Sequence, residues 1–114
     1  MKRLLLLLTM VLLQACSSAS KPFVLPQTAP GGWRLTQTKY DGAKTLGVYE
    51  GAGVVRVEVE DTGAQAVAFE RVQRARPRPD TVFFDRDRYF ITVSWEQADR
   101  DALKQLVREL QKRP

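Results

Sequence analysis

Side chains that can do covalent or metal chemistry are scarce in this chain. It has 114 residues, no His and a single Cys, Cys16. Without His it lacks the commonest general base near neutral pH and the commonest metal ligand. One Cys closes no intrachain disulfide and builds no thiolate zinc site. A Ser, Thr or Lys nucleophile needs a neighbouring base, and no G-x-S-x-G elbow occurs. Tyr89 could accept a proton, but nothing in the pattern positions it. Paired carboxylates are the next option. Asp85 and Asp87 fall in a tight turn and Glu58 and Glu60 on the wet side of a strand, so neither pair faces the other across a cleft. Asp85-x-Asp87 opens a calcium loop but lacks the Gly and distant Glu that complete one. Gly51-Ala52-Gly53 leads into a strand, where a phosphate loop would lead into a helix. Catalysis, a metal and a cofactor are therefore not expected.

Two groupings point to binding instead. Arg71, Arg74, Arg76 and Arg78 crowd the end of a helix and the loop after it. In the plain reading they are solvated cations favoured at a helix C-terminus, each worth ~0.3–1 kcal/mol. In the sharper one they form an anion site for phosphate, lipid headgroups, wall carboxylates or an acidic partner. The aromatic residues gather on expected strands, where most should be core. Alternation puts Phe83 and Phe84 on opposite faces, and likewise Tyr89 and Phe90. If helices cover one face only, part of this set is left on the open face or at an edge. Phe84 and Phe90 are the candidates for an exposed partner surface there.

Cys16 belongs to a different kind of signal. Lys2 and Arg3 precede a run of apolar residues from Leu4 to Leu13 that is broken only by Thr9. This has the n-region and h-region of an export signal, and it is short of the roughly 20 apolar residues that span a bilayer. Leu13-Gln14-Ala15-Cys16 resembles the lipobox of bacterial lipoproteins, with Gln14 the less usual residue. The resemblance covers residues 1–16. It implies cleavage between Ala15 and Cys16, a diacylglyceryl thioether on Cys16 and an acylated new amino terminus. The covalent lipid is then the only prosthetic group expected. Under that family's sorting rule for hosts with two membranes, Ser17 in place of Asp directs the protein to the periplasmic face of the outer membrane. Removing residues 1–15 takes Lys2 and Arg3 and no acid, which lowers the net charge from +5 to +3.

These side chains need a scaffold to position them. Residues 16–32 are rich in Ser, Pro and Gly and are expected to be a flexible tether; Phe23-Val24-Leu25 could dock back onto the domain. One domain is expected over residues 33–114. Residues 33–40 and 45–50 flank Asp41-Gly42, a hairpin signal. Val55, Val57 and Val59 alternate with Arg56, Glu58 and Glu60, which predicts a strand with one buried face. Thr62 and Gln65 fit a capping box, opening a helix with an Ala64, Ala68, Val72 and Ala75 stripe that Pro77 stops. Residues 81–84 and 89–95 predict a hairpin. Ser94 and Gln97 fit a second capping box before a helix carrying Ala102, Leu103, Leu106, Val107 and Leu110. Glu96/Arg100 and Glu109/Arg113 are expected helical ion pairs.

The expected fold is α+β: an antiparallel sheet of about five strands, in the order β-β-β-α-β-β-α, with both helices on one face. The mature domain has only a diffuse resemblance to small uncharacterised lipoprotein domains, which implies nothing about ligands. The function expected is non-catalytic binding in the cell envelope, as an accessory or assembly partner of another envelope protein. The alternative is a carrier or sensor of an anionic ligand at residues 71–78. Export argues against nucleic acid as a partner.

Overall fold

Valine alternation builds the middle of the molecule. In the computed structural model, which describes residues 23–112, Val55, Val57 and Val59 are buried on one face of Val54–Asp61 (β4). β4 lies between Lys44–Glu50 (β3) and Tyr89–Glu96 (β6). Val57 sits opposite Val93 and Val59 opposite Ile91, so the buried sides of β4 and β6 form one apolar surface. Trp33–Asp41 (β2) pairs with β3 across a two-residue turn, where Gly42 takes the positive φ of 59° that side chains resist. Thr81–Arg86 (β5) pairs with β6 around Asp87-Arg88. With Thr28–Ala29 (β1) on the far edge, the six antiparallel strands run β1-β2-β3-β4-β6-β5. The α+β class, the antiparallel sheet and the strand–helix order from β2 onward are as expected. The additional strand is β1.

β1 corrects the expected tether. Residues 23–32 belong to the domain, because Phe23, Leu25 and Ala29 find sites on it. Leu25 and Ala29 are buried, and Phe23 packs at the margin of the core. A Cβ at Gly47 would lie 2.5 Å from Leu25 Cδ1, so the missing side chain is the space that Leu25 fills. The Tyr49 hydroxyl donates to the Pro26 carbonyl at 2.7 Å, and the Phe23 N–H to the Tyr89 hydroxyl at 3.1 Å. Of the expected tether, only residues 16–22 lie outside the described residues. The expected leader, with Ala15 and Cys16, lies outside them too.

The helices occupy opposite faces of the sheet, which corrects the expectation of both on one face. Arg100–Gln111 (α2) buries Leu103, Leu106 and Leu110 in the same core as Val55, Val57, Ile91 and Val93. Trp33 Nε1 donates to the Ala102 carbonyl at 2.7 Å and ties β2 to this helix. Gln65–Arg74 (α1) contributes only Ala68 to the buried set, and Ala68 is no part of that core. Its neighbours are Phe83 and Phe90, stacked with centroids 5.9 Å apart. Phe83 is paired with Thr92 and flanks Phe84, which is paired with Ile91, so it points away from the core. Arg71 of α1 also pairs with Glu60, on the side of β4 away from its valines.

Neither expected capping box forms. The Thr62 hydroxyl donates to the Arg88 carbonyl at 2.6 Å, with the Ala64 carbonyl beside it at 2.9 Å, and α1 starts after Ala64 with no side-chain cap. Around Ser94 the strand wins: β6 continues to Glu96, opposite Val54. Asp99 caps α2 by accepting from the Ala102 N–H at 3.0 Å. Glu96 therefore meets Arg56 across strands, in place of Arg100. Glu109 pairs with Lys112, and Arg113 is outside the described residues.

Candidate partner-binding grooves at the sheet edge

The four clustered arginines do not act as one site. Arg71 is held by Glu60, and Arg74 by Glu70 at 2.7 Å one helical turn away. Both charges are largely answered within the domain. The Arg78 guanidinium lies 5.4 Å from the centre of the Phe83 ring, a cation–π arrangement. Arg76 is exposed and makes no ion pair with a described acid. Together these residues rim an open groove of about 570 Å³ whose floor is Val67, Ala75, Phe83 and Phe90. The anion-site expectation thus narrows to Arg76 and Arg78.

Phe84 and Phe90 cannot form one partner surface, which corrects their pairing as candidates. Phe84 packs on the core side under α2, and Phe90 stacks on Phe83 at the α1 side. Alternation along the two paired strands sends them to opposite faces. Each nevertheless contributes to a groove on its own side.

The larger groove, about 700 Å³, runs between β5 and α2. Val82, Phe84, Trp95, Leu103 and Val107 form its apolar floor, and Arg100, Lys104 and Arg108 its wall. These three cations recur every four residues, so a single helix face presents them as a ladder. None of the three forms an ion pair with a described acid. An Arg86 contact with the Leu110 carbonyl, at 3.3 Å, ties the two walls together near one end. In the sequence this ladder is an i, i+4, i+8 run of cations, overshadowed by the apolar stripe of the same helix.

The two strand carboxylates stay apart. Glu58 faces Lys44 at 3.4 Å and Glu60 faces Arg71, so the acids meet cations and not each other. The described residues contain no group of three or more potential metal-binding side chains. Gly51 and Gly53 serve close packing: a Cβ there would lie 2.3 Å from the Gly32 carbonyl oxygen and 2.6 Å from Ala98 Cα, respectively. Burial pushes the Tyr49 phenol well above its ordinary range, and its donated hydrogen bond belongs to the neutral form. Tyr49 is thus a neutral structural group. Comparison with protein families, with curated proteins and with solved structures finds no match to this chain.

Proposed function

We propose that this protein is a lipid-anchored component of a bacterial cell envelope whose domain binds a partner protein without transforming it. The observation that carries the binding half is the groove between β5 and α2, with its apolar floor and a cationic wall that makes no ion pair with a described acid. A centre with a polar rim is the usual anatomy of a protein interface. The anchoring half rests on the lipobox resemblance at Cys16. Among the described residues no helix is long and apolar enough to cross a membrane. In this reading attachment is through acyl chains on Cys16, at ~0.8 kcal/mol per buried CH₂. Because the domain already begins by Phe23, the linker from Cys16 spans at most about 25 Å. A partner would be met close to the membrane surface, on the periplasmic side of the outer membrane in a host with two membranes.

A second reading, a carrier or sensor of an anionic ligand, is favoured by the groove under α1, where Arg76 and Arg78 lie near Phe83. It is the weaker one, since Glu60 and Glu70 already occupy Arg71 and Arg74. Crosslinking in intact cells followed by mass spectrometry separates the two. The native chain is expected to capture one envelope protein, and a Cys16→Ala chain to lose that capture. Adducts scattered over many proteins, or none, would contradict the partner reading. The N-terminal peptide of the native chain should carry a diacylglyceryl thioether on Cys16; an unmodified thiol would overturn the anchor.

A further inference from the structure

Resting on the partner reading, we propose what fills the groove: an extended acidic segment of the partner, added to the open edge of β5 as a seventh strand. β5 is the terminal strand of the sheet, and its register shows which backbone groups are free. Arg86 and Tyr89 flank the two-residue turn, and a pair in that position exchanges hydrogen bonds. Alternation then assigns Phe84 and Val82 to bonding with β6. The Trp95 N–H donating to the Asp80 carbonyl at 3.1 Å keeps the same phase. The N–H and C=O groups of Thr81, Phe83 and Asp85 therefore point away from β6, and none takes part in a backbone hydrogen bond elsewhere among the described residues. Exposed edges of this kind are templates for strand pairing unless blunted. β5 carries no Pro or bulge to blunt it.

The flanks state the chemistry of the added strand. Its successive side chains would enter the α2 groove and the α1 groove in turn. Both grooves have apolar floors, and both have cations without ion pairs to described acids: Arg100, Lys104 and Arg108 on one side, Arg76 and Arg78 on the other. An occupant with apolar and acidic residues at both parities complements both. Residues 16–22 of this chain contain no acid, so its own leading segment is not that occupant. A second copy pairing edge to edge would bring cationic walls together, which like-charge repulsion opposes.

The test uses the full chain as cells process it, purified in neutral detergent, and the labelled peptide Val-Phe-Glu-Asp-Val-Phe-Glu-Asp read by fluorescence anisotropy. In an added strand only alternate peptide amides face β5. N-methylating that set is expected to weaken binding about thirtyfold or more, and N-methylating the other set by less than about threefold. Replacing Arg100, Lys104 and Arg108 together by Gln, with the circular dichroism spectrum unchanged, should weaken binding about tenfold and flatten its salt dependence. No binding, or equal effects of the two methylated sets, overturns strand addition. So does binding of phosphatidylglycerol vesicles through the same three cations without peptide binding, which would make the wall a lipid contact. A single partner captured in cells beside equal methylation effects would leave the partner reading standing and remove only this one. Absence of any captured partner would remove the parent reading.

Discussion

The two faces of the sheet are organised by different physics. On the inner face, α2 and residues 23–29 cover a continuous core from Leu25 and Trp33 to Leu110. Burying each large aliphatic side chain there contributes roughly 1.5–3 kcal/mol. On the outer face α1 offers one buried Ala68 and an ion pair to Glu60, while Phe69 remains 55% exposed and Val67 41%. The inner helix therefore holds the fold together, whereas the outer helix is held by it. Cationic residues border β5 on both faces, and the edge where the faces meet is the one proposed above to take a partner strand.

Substitutions on the two faces can break this comparison. The largest effect is expected on the inner face: Leu106→Ala should cost about 3 kcal/mol in urea unfolding, by lost transfer energy and a residual cavity. Val67→Ala on the outer helix should lie within about 0.5 kcal/mol of the native chain. Equal costs would erase the distinction. Ala68→Leu sharpens it, because Ala68 is the one fully buried residue described on the outer helix; overpacking there should cost about 2 kcal/mol. Tyr49 makes the inner face sensitive to alkali. The unfolded phenol ionises near its ordinary value of 10.0, while the folded one stays neutral. Stability is then unaffected by this group below pH 10 and falls by about 1.4 kcal/mol per pH unit above it, until the folded phenol ionises too. Tyr49→Phe should remove that alkaline slope. The smallest effect belongs to the outer ion pair: Arg71→Ala should cost under about 1 kcal/mol, since the arginine is half exposed.

Much of the fold was legible in the sequence where one signal acted alone. Valines in alternation, Asp41-Gly42 at a turn, and the Leu103, Leu106 and Leu110 stripe each admit one geometry. Legibility failed where two local signals competed. Thr62-x-x-Gln65 and Ser94-x-x-Gln97 have the right letters for caps, yet the Thr62 hydroxyl is spent on Arg88 and Ser94 lies inside a paired strand. The Pro, Gly and Ser content of residues 16–32 masked Leu25 and Ala29, whose burial depends on space left by Gly47 and on the approach of β2. Which face α1 would take was hidden because an alanine stripe fits either side. The two candidate grooves were only half visible. The arginines at 71–78 stood out by density, although two of them are internally paired, while Arg100, Lys104 and Arg108 were diluted along a helix.

A photo-crosslinking side chain placed in intact cells at Lys104, compared with one at Leu46 on the polar outer face of β3, tests the central claim most directly. The account predicts that the probe at Lys104 yields a single protein adduct, lost when Arg100 and Arg108 are changed to Gln, and that the probe at Leu46 yields none. Adducts from Leu46 with none from Lys104 would contradict the groove between β5 and α2 as the partner's site.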